Sequence, residues 1–466
     1  MDALDRCRLE LERALGPSTV LTDPDLCEPF GRDESEAEAV TPAAVVRARS
    51  VDDLRVTLAV CEAREVPVVP RGAGTGRTGG AATLRPGVVI DTLGMKRVVE
   101  LDRANQLAVV EPGVVTGALQ SLVEAEGLFY PPDPNSAEWC CVGGNVAENA
   151  AGPRAFKYGV TRDWVLGLDA VVMGGELLRV GRRTTKGVAG YDLTALMVGS
   201  EGTLAVFSSV TLRLTARPTE ERLLRACFAT AVDAGRAVAL VVARGLRARC
   251  VEVLDHICCD VVRAAGVDVP EGAGAMLLIE VDGEHPAAVD ALTDRVGEAC
   301  VEVGALDVQK GGDRVEREAL WAARRVMSRS LRARAREKLS EDVVVPRSEV
   351  PALLDRVAEI SAREGVLMPT YGHAGDGNLH VNLLWDDDAE RPAVDRAIAA
   401  LMRATLDLGG TITGEHGVGV MKAEFLPWEQ SAAVIAAQRA VKAVFDPKGL
   451  MNPGKVFVGG GCGATR

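Results

Sequence analysis

Short apolar runs alternate with helical patterns along the first half of the chain. Val66–Pro70, Gly87–Asp91 and Leu107–Gly113 are rich in β-branched residues and bounded by glycine or proline, which predicts three strands. Val114–Gly127 repeats apolar residues at helical spacing and ends at a glycine, which predicts a helix. Leu166–Val180 shows the alternation of a hairpin around a Met-Gly-Gly-Glu turn. The first half is therefore predicted to mix strands and helices.

The pattern changes after the predicted strand Leu204–Thr215. The stretch Ala216-Arg-Pro-Thr219 interrupts it and is a boundary signal. Beyond it, long Ala/Arg/Val segments at helical spacing, such as Ala231–Leu246, alternate with strands such as Met276–Val281. The last helical pattern is Pro427–Phe445. These patterns predict a second α+β region that ends in a helix.

Composition describes an ordinary globular protein and narrows the class of its partners. The 466 residues are 47% apolar and 26% charged, and a net charge of −13 argues against binding nucleic acid or an anionic membrane through bulk electrostatics. The N-terminal helical pattern up to Leu15 is charged, unlike a signal peptide, and no apolar run approaches the roughly 18 residues of a membrane helix. Eleven scattered cysteines without C-x-x-C spacing disfavour zinc ribbons and iron–sulfur clusters, and they indicate reduced thiols in a cytoplasmic protein.

A glycine-rich loop follows the first predicted strand. Gly74-Thr-Gly-Arg-Thr-Gly79 matches the G-x-G-x-x-G pattern of dinucleotide-binding Rossmann units. That fingerprint requires a helix to begin at the glycines, whereas Ala81–Gly87 leads into a strand, so a Rossmann unit is excluded. Backbone N–H groups of a strand–loop–strand can still bind a pyrophosphate, because glycines let the backbone approach phosphates closely. The alternative is a mobile surface loop.

Three of the five histidines fall in two polar motifs near the C-terminus. His380 and Asn382 are two residues apart in an apolar run, so on a strand both side chains point to one face. His373 precedes Ala-Gly-Asp376-Gly, a turn-like sequence that can fold it back beside His380. Flanking glycines favour a turn role for Asp376 over a ligand role.

The second motif places Glu415 and His416 between Gly414 and Gly417, a flexible setting for a tight polar loop. Two histidines and a glutamate are a recurrent ligand set for zinc and related divalent ions, with positions left open for a substrate. A further histidine beside such a set is a candidate base. The alternative is that these histidines are ordinary core or surface residues.

Five motifs in a fixed order connect these observations: Arg71–Gly80, Tyr130–Ser136, Val142–Gly152, Lys186–Leu193 and Gly199–Leu204. Together they resemble the FAD-binding oxidoreductases of the vanillyl-alcohol-oxidase or PCMH-type fold. Within that fold, they are most similar to the branch of the glycolate oxidase flavoprotein subunit, D-lactate dehydrogenase and D-2-hydroxyglutarate dehydrogenase. The resemblance extends from about Pro42 to Phe457, which is nearly the whole chain.

The resemblance implies an α+β fold in four segments. Residues 1–41 would form an N-terminal helical segment, and residues 42–217 a PCMH-type FAD-binding domain of two α+β subdomains. Residues 218–410 would form an α+β substrate or cap domain. Residues 411–466 would form a C-terminal helical segment that packs on the FAD domain and completes the active site. Because no histidine precedes His256, the FAD is expected to be bound non-covalently.

The resemblance also assigns FAD contacts. The loop that holds the pyrophosphate in the family corresponds to Pro70, Arg71, Gly72, Ala73, Gly74, Thr75, Gly76, Thr78 and Gly79. Further contacts with the flavin and its phosphates correspond to Pro132, Asp133, Ser136, Gly143, Gly144, Asn145, Ala147, Asn149, Gly152 and Tyr158. The segment of Glu201 and Gly202, with Val206 beyond it, would lie near the adenine and ribose, and Asn452 near the isoalloxazine ring.

For the catalytic site, the resemblance implies that His373, His380 and Glu415 bind a divalent metal, zinc or manganese, and that His416 is the base. The flavin would accept the hydride at N5, so the metal need not change oxidation state. The base would remove the proton of the substrate hydroxyl.

Three more residues are candidates for the substrate site. Arg324 lies in a Trp-x-x-Arg stretch whose arginine contacts the substrate carboxylate in the family, and a guanidinium suits bidentate carboxylate binding. Lys338 is a candidate for a second contact with the substrate. The alternative is that its side chain is simply solvated. Asn382 is the third catalytic candidate, on the strand of His380.

The expected function is the FAD- and metal-dependent oxidation of a small anionic 2-hydroxy acid to the 2-oxo acid, D-selective by the resemblance. Electrons would pass to a separate acceptor, for which the candidates are a quinone, a cytochrome, an electron-transfer flavoprotein and an iron–sulfur partner subunit. A homodimer is also allowed. Three alternatives remain. The first is an oxidase of another alcohol that uses O₂ without metal. The second is a non-redox ether-lipid-type transferase, and the third is a flavin-bound subunit that is inactive outside a complex.

Overall fold

The computed structural model describes residues 1–264, 266, 269–311, 314–325 and 327–458. Its strands are β1 (Val20–Leu21), β2 (Ala44–Arg47), β3 (Val68–Arg71), β4 (Val88–Asp91), β5 (Val98–Asp102), β6 (Leu107–Val110), β7 (Leu128–Phe129), β8 (Val165–Val171), β9 (Leu177–Gly181), β10 (Val206–Arg213), β11 (Thr215–Ala216), β12 (Glu220–Phe228), β13 (Cys250–Asp255), β14 (Ala275–Gly283), β15 (Asp307–Lys310), β16 (Glu337–Val344), β17 (Thr370–His373) and β18 (Asn378–Trp385). Its α-helices are α1 (Ala3–Leu15), α2 (Pro24–Cys27), α3 (Val51–Arg64), α4 (Thr116–Ala125), α5 (Val142–Glu148), α6 (Ala155–Tyr158), α7 (Leu193–Met197), α8 (Ala231–Ala243), α9 (His256–Ala264), α10 (Pro286–Glu302), α11 (Arg314–Arg325), α12 (Met327–Arg332), α13 (Val350–Glu364), α14 (Arg391–Asp407), α15 (Leu426–Glu429) and α16 (Ala432–Phe445).

Internal contacts divide the chain into two units. The first unit holds Met1–Ala151, Val160–Arg217 and the C-terminal segment that begins at Glu415. The second unit holds Gly152–Gly159 and Pro218–Gly414. The chain therefore enters the second unit twice, first through a short segment that contains α6.

A four-stranded sheet of the first unit carries the glycine loop. Its order is β1–β2–β4–β3; β2, β3 and β4 are parallel, and β1 pairs antiparallel with β2. The N-terminal helix α1 packs against this sheet, because Cys7 and Leu11 share one apolar core with Leu54 and Ile90. β3 ends at Arg71, so the loop starts at the carboxyl end of a parallel strand, where ligands usually approach open sheets.

The second sheet of this unit is antiparallel, in the order β5–β6–β10–β8–β9. The predicted hairpin is confirmed: β8 and β9 pair antiparallel, with Val171 opposite Leu177. Gly174 and Gly175 at its turn have φ of +85° and +83°, a region that glycine reaches without strain.

The second unit is built on a seven-stranded antiparallel sheet in the order β15–β12–β14–β13–β17–β18–β16. On one face, α10 approaches so closely that a Cβ on Gly297 would lie 3.2 Å from Leu224 Cδ1. On the other face, α9, α11 and α12 contribute to an apolar core with Leu254, Leu278 and Tyr371. Polar side chains on this second face are therefore enclosed between the sheet and helices.

The predicted helix Pro427–Phe445 is wrong in one respect, because the structure breaks it into α15 and α16. Gln430 has an extended backbone (φ −113°, ψ 137°) between them. The Ser431 side chain accepts a hydrogen bond from Val434 N and caps α16. Serine is a preferred N-cap, and here that local signal overrides the apolar periodicity.

Two further expectations concern the described part of the chain. None of its helices combines the length and the apolar character that crossing a membrane requires. None of the ten cysteines that the structure describes forms a disulfide, and all ten are buried. The Sγ atoms of Cys7 and Cys61 are 3.8 Å apart and belong to the core between α1 and α3.

Leu11→Ala is expected to destabilise the first unit. Leu11 is fully buried, and removing a buried leucine side chain typically costs about 2–5 kcal/mol in the free energy of unfolding. Leu9 of the same helix is 39% exposed, so Leu9→Ala is the matched control, with an expected change within about 0.5 kcal/mol. Urea unfolding followed by circular dichroism measures both variants. Equal effects of the two substitutions would show that α1 is not anchored through Leu11.

Candidate metal centre and flavin-binding loops

Polar side chains line the enclosed face of the seven-stranded sheet. Tyr371 is directly opposite His380, and His380 is directly opposite Asp342. Directly paired residues project to the same face of a sheet. The pairing of β13 with β17 also brings Glu252 beside His373. Residues far apart in sequence thus form one polar row across four neighbouring strands.

The two histidines of this row face each other. His373 Nε2 and His380 Nε2 are 3.4 Å apart, and the ring planes make an angle of 88°. Both residues are buried, with 5% and 7% of their surface exposed. Two nitrogens about 2.05 Å from one zinc ion, at a tetrahedral angle, would lie about 3.3 Å apart. The observed spacing therefore fits a divalent ion held by both rings.

Glu415, the third predicted ligand, directly follows the last segment of the second unit. Asp342 Oδ2 accepts hydrogen bonds from Thr413 Oγ1 at 3.1 Å and from Gly414 N at 2.8 Å. These bonds hold the chain immediately before Glu415 against β16. Glu415 itself belongs to the first unit, so its place in the ligand set stays a prediction. The two histidines and the spacing of their nitrogens fit a divalent metal.

A buried carboxylate orients the first histidine. Glu252 Oε1 lies 2.5 Å from His373 Nδ1, and Glu252 Oε2 accepts from Arg324 Nε at 2.7 Å and Nη2 at 2.5 Å. Burial opposes the charged carboxylate, but the charges of His373 and Arg324 outweigh it and lower the pKa of Glu252 to about 2. With His373 Nδ1 bonded to the Glu252 carboxylate, His373 Nε2 is the nitrogen that faces His380. Such outer carboxylates are usual for metal-binding histidines.

Arg324 lies above the same face. Its guanidinium carbon is 4.6 Å from the ring centroid of Tyr371, a distance typical of a cation–π contact. Its Nε and Nη2 both donate to Glu252. Among the described residues, these two bonds leave Nη1 uninvolved.

Asn382 and Lys338 also lie on this face: Asn382 is two residues from His380 on β18, and Lys338 is four residues from Asp342 on β16. Lys338 Nζ donates to Ser328 Oγ at 3.1 Å, which connects β16 to α12. Asn382 is fully buried, and its Nδ2 donates to the backbone oxygens of Pro369 and His380 at 3.1 Å each. The amide of Asn382 thus supports the strand that carries the second histidine.

The predicted base lies in the first unit, in the loop that opens its C-terminal segment. The carbonyl oxygen of His416 accepts a hydrogen bond from Thr78 Oγ1 at 2.9 Å. Val418 N and Gly419 N donate to the Glu201 carboxylate at 2.9 and 2.6 Å. The loop of His416 is therefore attached through its backbone to the glycine loop and to Glu201.

The glycine loop is shaped by Arg71 and by the N-terminal segment. Arg71 Nη1 donates to Arg32 O at 2.7 Å. Its guanidinium lies beside Gly74, where a Cβ would be 2.1 Å from Nη1, and Gly74 has φ of +72°. Glu34 N donates to Gly76 O at 2.9 Å. Because the arginine side chain supports the loop from within, backbone N–H groups remain as the phosphate donors.

Three of the predicted FAD contacts on helix α5 are of two kinds: two pack the helix, and one is open to a ligand. A Cβ on Gly143 would lie 2.5 Å from Pro112 Cβ, and Asn145 Nδ2 donates to Thr116 Oγ1 at 2.7 Å. These two positions serve the packing of the helix. Gly144 differs, because the nearest atom to a Cβ there would be 3.7 Å away. Gly144 is therefore the position where the bare backbone of α5 is open to a ligand.

Three other predicted FAD contacts use their side chains elsewhere. Val206 belongs to the apolar core of the first unit. Asn149 Oδ1 accepts from Arg162 N at 2.9 Å. Tyr158 belongs to the second unit, with Gly152, and its hydroxyl donates to Asp282 Oδ2 at 2.7 Å. Their roles at FAD stay predictions.

Other predicted contacts gather around the glycine loop or next to it. Asn452 Nδ2 donates to Gly80 O and to Glu201 O at 2.8 Å each, and a Cβ on Gly202 would lie 3.3 Å from Pro70 Cγ. The loop itself contains Gly72, Ala73, Thr75 and Gly79, and Ala147 O accepts from Glu201 N at 2.8 Å. Pro132, Asp133 and Ser136 lie in the irregular segment after β7, where Pro132 O accepts from Gln120 Nε2 at 2.8 Å.

Buried acceptor atoms beside this loop fit a ligand that donates hydrogen bonds. Within the described residues, Asn452 Oδ1 and Glu148 Oε2 are buried and accept no hydrogen bond. A buried acceptor without a donor is costly, so a ligand that supplies the donor is favoured. The ribityl hydroxyls and the ring N3–H of a flavin are such donors, and the glycine backbone suits its pyrophosphate.

Comparison with known families decides the cofactor. The family described as FAD binding domain matches residues 42–181, and the family described as FAD linked oxidases, C-terminal domain matches residues 217–456. The chain belongs to the FAD-linked oxidase family. The first match contains the glycine loop and α5, and the second contains both histidines of the polar row and Glu415. The protein is thus an FAD-linked oxidoreductase.

Individual relatives cover nearly the whole chain. It is 39% identical over 421 residues to the glycolate oxidase subunit GlcD of Bacillus subtilis (strain 168), covering 89% of each chain. It is 32% identical over 461 residues to the D-lactate dehydrogenase of Anaerostipes hadrus, covering 96% of each chain. The crystal structure of p-cresol methylhydroxylase with substrate bound matches with a TM-score of 0.81 and 16% identity, over 98% of this chain and 97% of that chain. The PCMH-type fold is thereby confirmed.

Residue patterns did not identify Glu252 and Asp342 in this FAD-linked oxidase. Each is a carboxylate inside an apolar strand, in Cys250-Val-Glu-Val-Leu254 and in Asp342-Val-Val-Val-Pro346. Burying a charge is unfavourable unless the charge is paired. A carboxylate at a strand position that faces the core therefore signals a buried cationic or metal-binding partner, although it does not say which one.

Gly144→Ala is expected to weaken FAD binding without destabilising the apoprotein. The protein itself leaves room for the new methyl group, and alanine is favoured over glycine inside a helix by about 1 kcal/mol. Gly143→Ala is the contrasting variant, because its methyl group would collide with Pro112 and lower apoprotein stability. Fluorescence titration with FAD and thermal unfolding of the apoprotein separate the two effects. Wild-type FAD affinity in Gly144→Ala would show that the cofactor does not approach this helix.

Proposed function

We propose that this protein oxidises a D-2-hydroxy acid to the 2-oxo acid, using FAD and a divalent metal, zinc or manganese. The observation that carries the proposal is the 3.4 Å approach of His373 Nε2 to His380 Nε2, beside the buried guanidinium of Arg324, with Glu415 as the proposed third ligand. A 2-hydroxy acid presents a hydroxyl and a carboxylate on adjacent carbons, so a cation centre next to a guanidinium matches both groups. When bound, FAD accepts the hydride and the divalent ion polarises the substrate oxygens.

His416 takes the proton of the substrate hydroxyl in this proposal. The substrate loses that proton and the Cα hydride together, so it is oxidised by two electrons and its C–O single bond becomes a carbonyl. A positioned histidine base typically contributes about 10²–10⁴-fold to the rate. The hydrogen bond from Thr78 to the carbonyl oxygen of His416 supports this role, because it limits the positions that the base can adopt.

Arg324 binds the substrate carboxylate. Glu252 fixes the plane of the guanidinium through two hydrogen bonds and leaves Nη1 for the substrate. Lys338, which is held by Ser328, supplies a second cationic contact. Asn382 acts on the site through the strand of His380, to whose carbonyl oxygen it donates.

The names of the relatives support a small 2-hydroxy acid as substrate. The two relatives are named for glycolate oxidase and for D-lactate dehydrogenase. The first is named as a subunit, which supports a separate protein partner here. Electrons would then leave the flavin for an iron–sulfur subunit, a cytochrome, an electron-transfer flavoprotein or a quinone.

Anaerobic mixing with glycolate or D-lactate is expected to bleach the visible absorbance of the bound flavin. L-lactate is the matched control for stereoselectivity, and D-2-hydroxyglutarate tests a longer substrate. Treatment with EDTA should slow the bleaching, and added Zn²⁺ or Mn²⁺ should restore it, since the ligand set would hold such an ion. Stopped-flow absorbance measures the rates.

The outcomes separate the parts of the proposal. No bleaching by any 2-hydroxy acid would contradict the substrate class. Bleaching at an unchanged rate after EDTA, in protein shown by elemental analysis to be metal-free, would contradict the metal. Rapid O₂ consumption with an alcohol that lacks a carboxylate would instead support the metal-independent oxidase.

Glu252→Gln is expected to lower the affinity for Zn²⁺ by about 10- to 100-fold, the usual effect of removing the carboxylate behind a ligating histidine. A glutamine is neutral and cannot accept at one oxygen from Arg324 while accepting from His373 at the other. Isothermal titration of EDTA-treated holoenzyme with Zn²⁺ measures the change.

Glu280→Gln provides the matched control for this variant. Glu280 lies on the adjacent strand β14 and accepts from Trp321 Nε1 at 2.5 Å. Within the described residues, its bonds do not involve either histidine. A similar loss of Zn²⁺ affinity in both variants would mean that Glu252 acts by general electrostatics and does not orient His373.

A further inference from the structure

Two buried carboxyl groups, those of Glu201 and Glu148, lie against the loop that carries His416. Both oxygens of Glu201 accept backbone N–H groups of this loop, at 2.9 Å from Val418 and at 2.6 Å from Gly419. Glu201 is 7% exposed and has φ of +51°, a region that is uncommon for a residue with a side chain. Its backbone N also donates to Ala147 O of α5 at 2.8 Å. Glu201 is therefore held firmly while it binds the loop.

Glu148, the last residue of α5, lies beside the same loop. A Cβ on Gly417 would be 2.5 Å from Glu148 Oε2 and 3.1 Å from Glu201 Oε1, and Gly417 has φ of +79°. A Cβ on Gly80 would be 3.0 Å from Glu148 Oε1. The Glu148 side chain therefore fills the space between the glycine loop and the loop of His416.

The two carboxyl groups are too close for both to be charged at low cost. Burial raises the pKa of Glu148 well above its ordinary value, and the neighbouring charge of Glu201 raises it further. Burial also raises the pKa of Glu201, against the opposing effect of the two N–H groups that it accepts. The N–H groups of Val418 and Gly419 therefore favour the charged form at Glu201, whereas burial and a neighbouring negative charge both oppose it at Glu148.

We propose that Glu201 is a positioning residue for the base His416, with Glu148 packed beside the same loop. Glu201 accepts from the backbone of Val418 and Gly419, while Thr78 Oγ1 donates to the carbonyl oxygen of His416 itself, at 2.9 Å. The backbone is thus fixed at the His416 carbonyl and along the residues that follow it. The proposal rests on the proposed function, in which His416 removes the hydroxyl proton.

Glu201→Gln tests this role with little change in size. A carboxylate accepts both N–H groups, whereas an amide presents one acceptor and one donor, so either Val418 N or Gly419 N would face an NH₂ group. The loop must then shift. A base misplaced by about 1 Å can cost about 10²-fold in rate, so the limiting rate of anaerobic flavin reduction is expected to fall about 10- to 100-fold. The substrate concentration for half-maximal rate should stay within about twofold, because His416 does not bind the carboxylate.

A second readout does not depend on activity. Hydrogen exchange at the amides of Val418 and Gly419 should be faster in Glu201→Gln than in wild type, because both amides lose their acceptor geometry. Glu111→Gln is the matched control: Glu111 is a buried glutamate of the same unit that accepts from Arg97 N at 2.8 Å and from Arg97 Nη2 at 2.7 Å. It should leave both the exchange of the loop and the rate of flavin reduction unchanged.

The results discriminate between failures. Unchanged exchange at Val418 and Gly419 would overturn the anchoring role, whatever the enzyme acts on. Faster exchange with an unchanged rate of flavin reduction would overturn the link to His416. If no 2-hydroxy acid reduces the flavin of the wild-type protein, the proposed function fails. Hydrogen exchange at Val418 and Gly419 then still tests whether Glu201 anchors the loop. Should Glu201→Gln fail to fold, Thr78→Val removes only the hydroxyl bond to His416 and should lower the rate in the same direction.

Discussion

A single buried carboxylate, Glu252, joins Arg324 and His373, the two side chains on which the candidate site depends. A lone charge enclosed between a sheet and its covering helices would cost several kcal/mol, so Glu252 requires partners. Arg324 and His373 satisfy it from opposite sides. The same bonds determine which nitrogen of His373 faces the metal-ligand cluster and which nitrogen of Arg324 is left over. The bonds that pair the buried charge of Glu252 therefore also orient His373 and Arg324 in the site.

The antiparallel sheet provides the frame for this constraint. Because side chains alternate between faces, one face can pack Leu224 against α10 while the other holds a polar row. The register of β13, β17, β18 and β16 then makes neighbours of Glu252, His373, His380 and Asp342. Helices α9, α11 and α12 close this face with an apolar core, so the polar row lies in a medium where each hydrogen bond is strengthened.

Local sequence signals predicted the parts of the molecule that short stretches of chain determine. The β8–β9 hairpin, the glycine loop after β3 and the return of His373 to His380 all follow from patterns a few residues long. Glu252 could not be paired from sequence, because its partners lie 72 and 121 residues away. Asn145 shows a different limit of sequence reasoning. It lies in a motif that predicts FAD contacts, but its side-chain amide donates a hydrogen bond to Thr116 in the core. The residue types indicated where the site lies. The pairing of strands that are distant in sequence decides which side chains are available to it.

The adjacent residues Glu415 and His416 carry two proposed roles and are held from two directions. Asp342 of the second unit binds the amide of Gly414, and Thr78 of the first unit binds the carbonyl of His416. Consecutive Cα atoms are always about 3.8 Å apart. If the ligand and the base came from separate segments, their distance would depend on how those segments are held. Here a covalent bond sets that distance, and glycines at 414 and 417 give the chain the freedom to be bound on both sides of it.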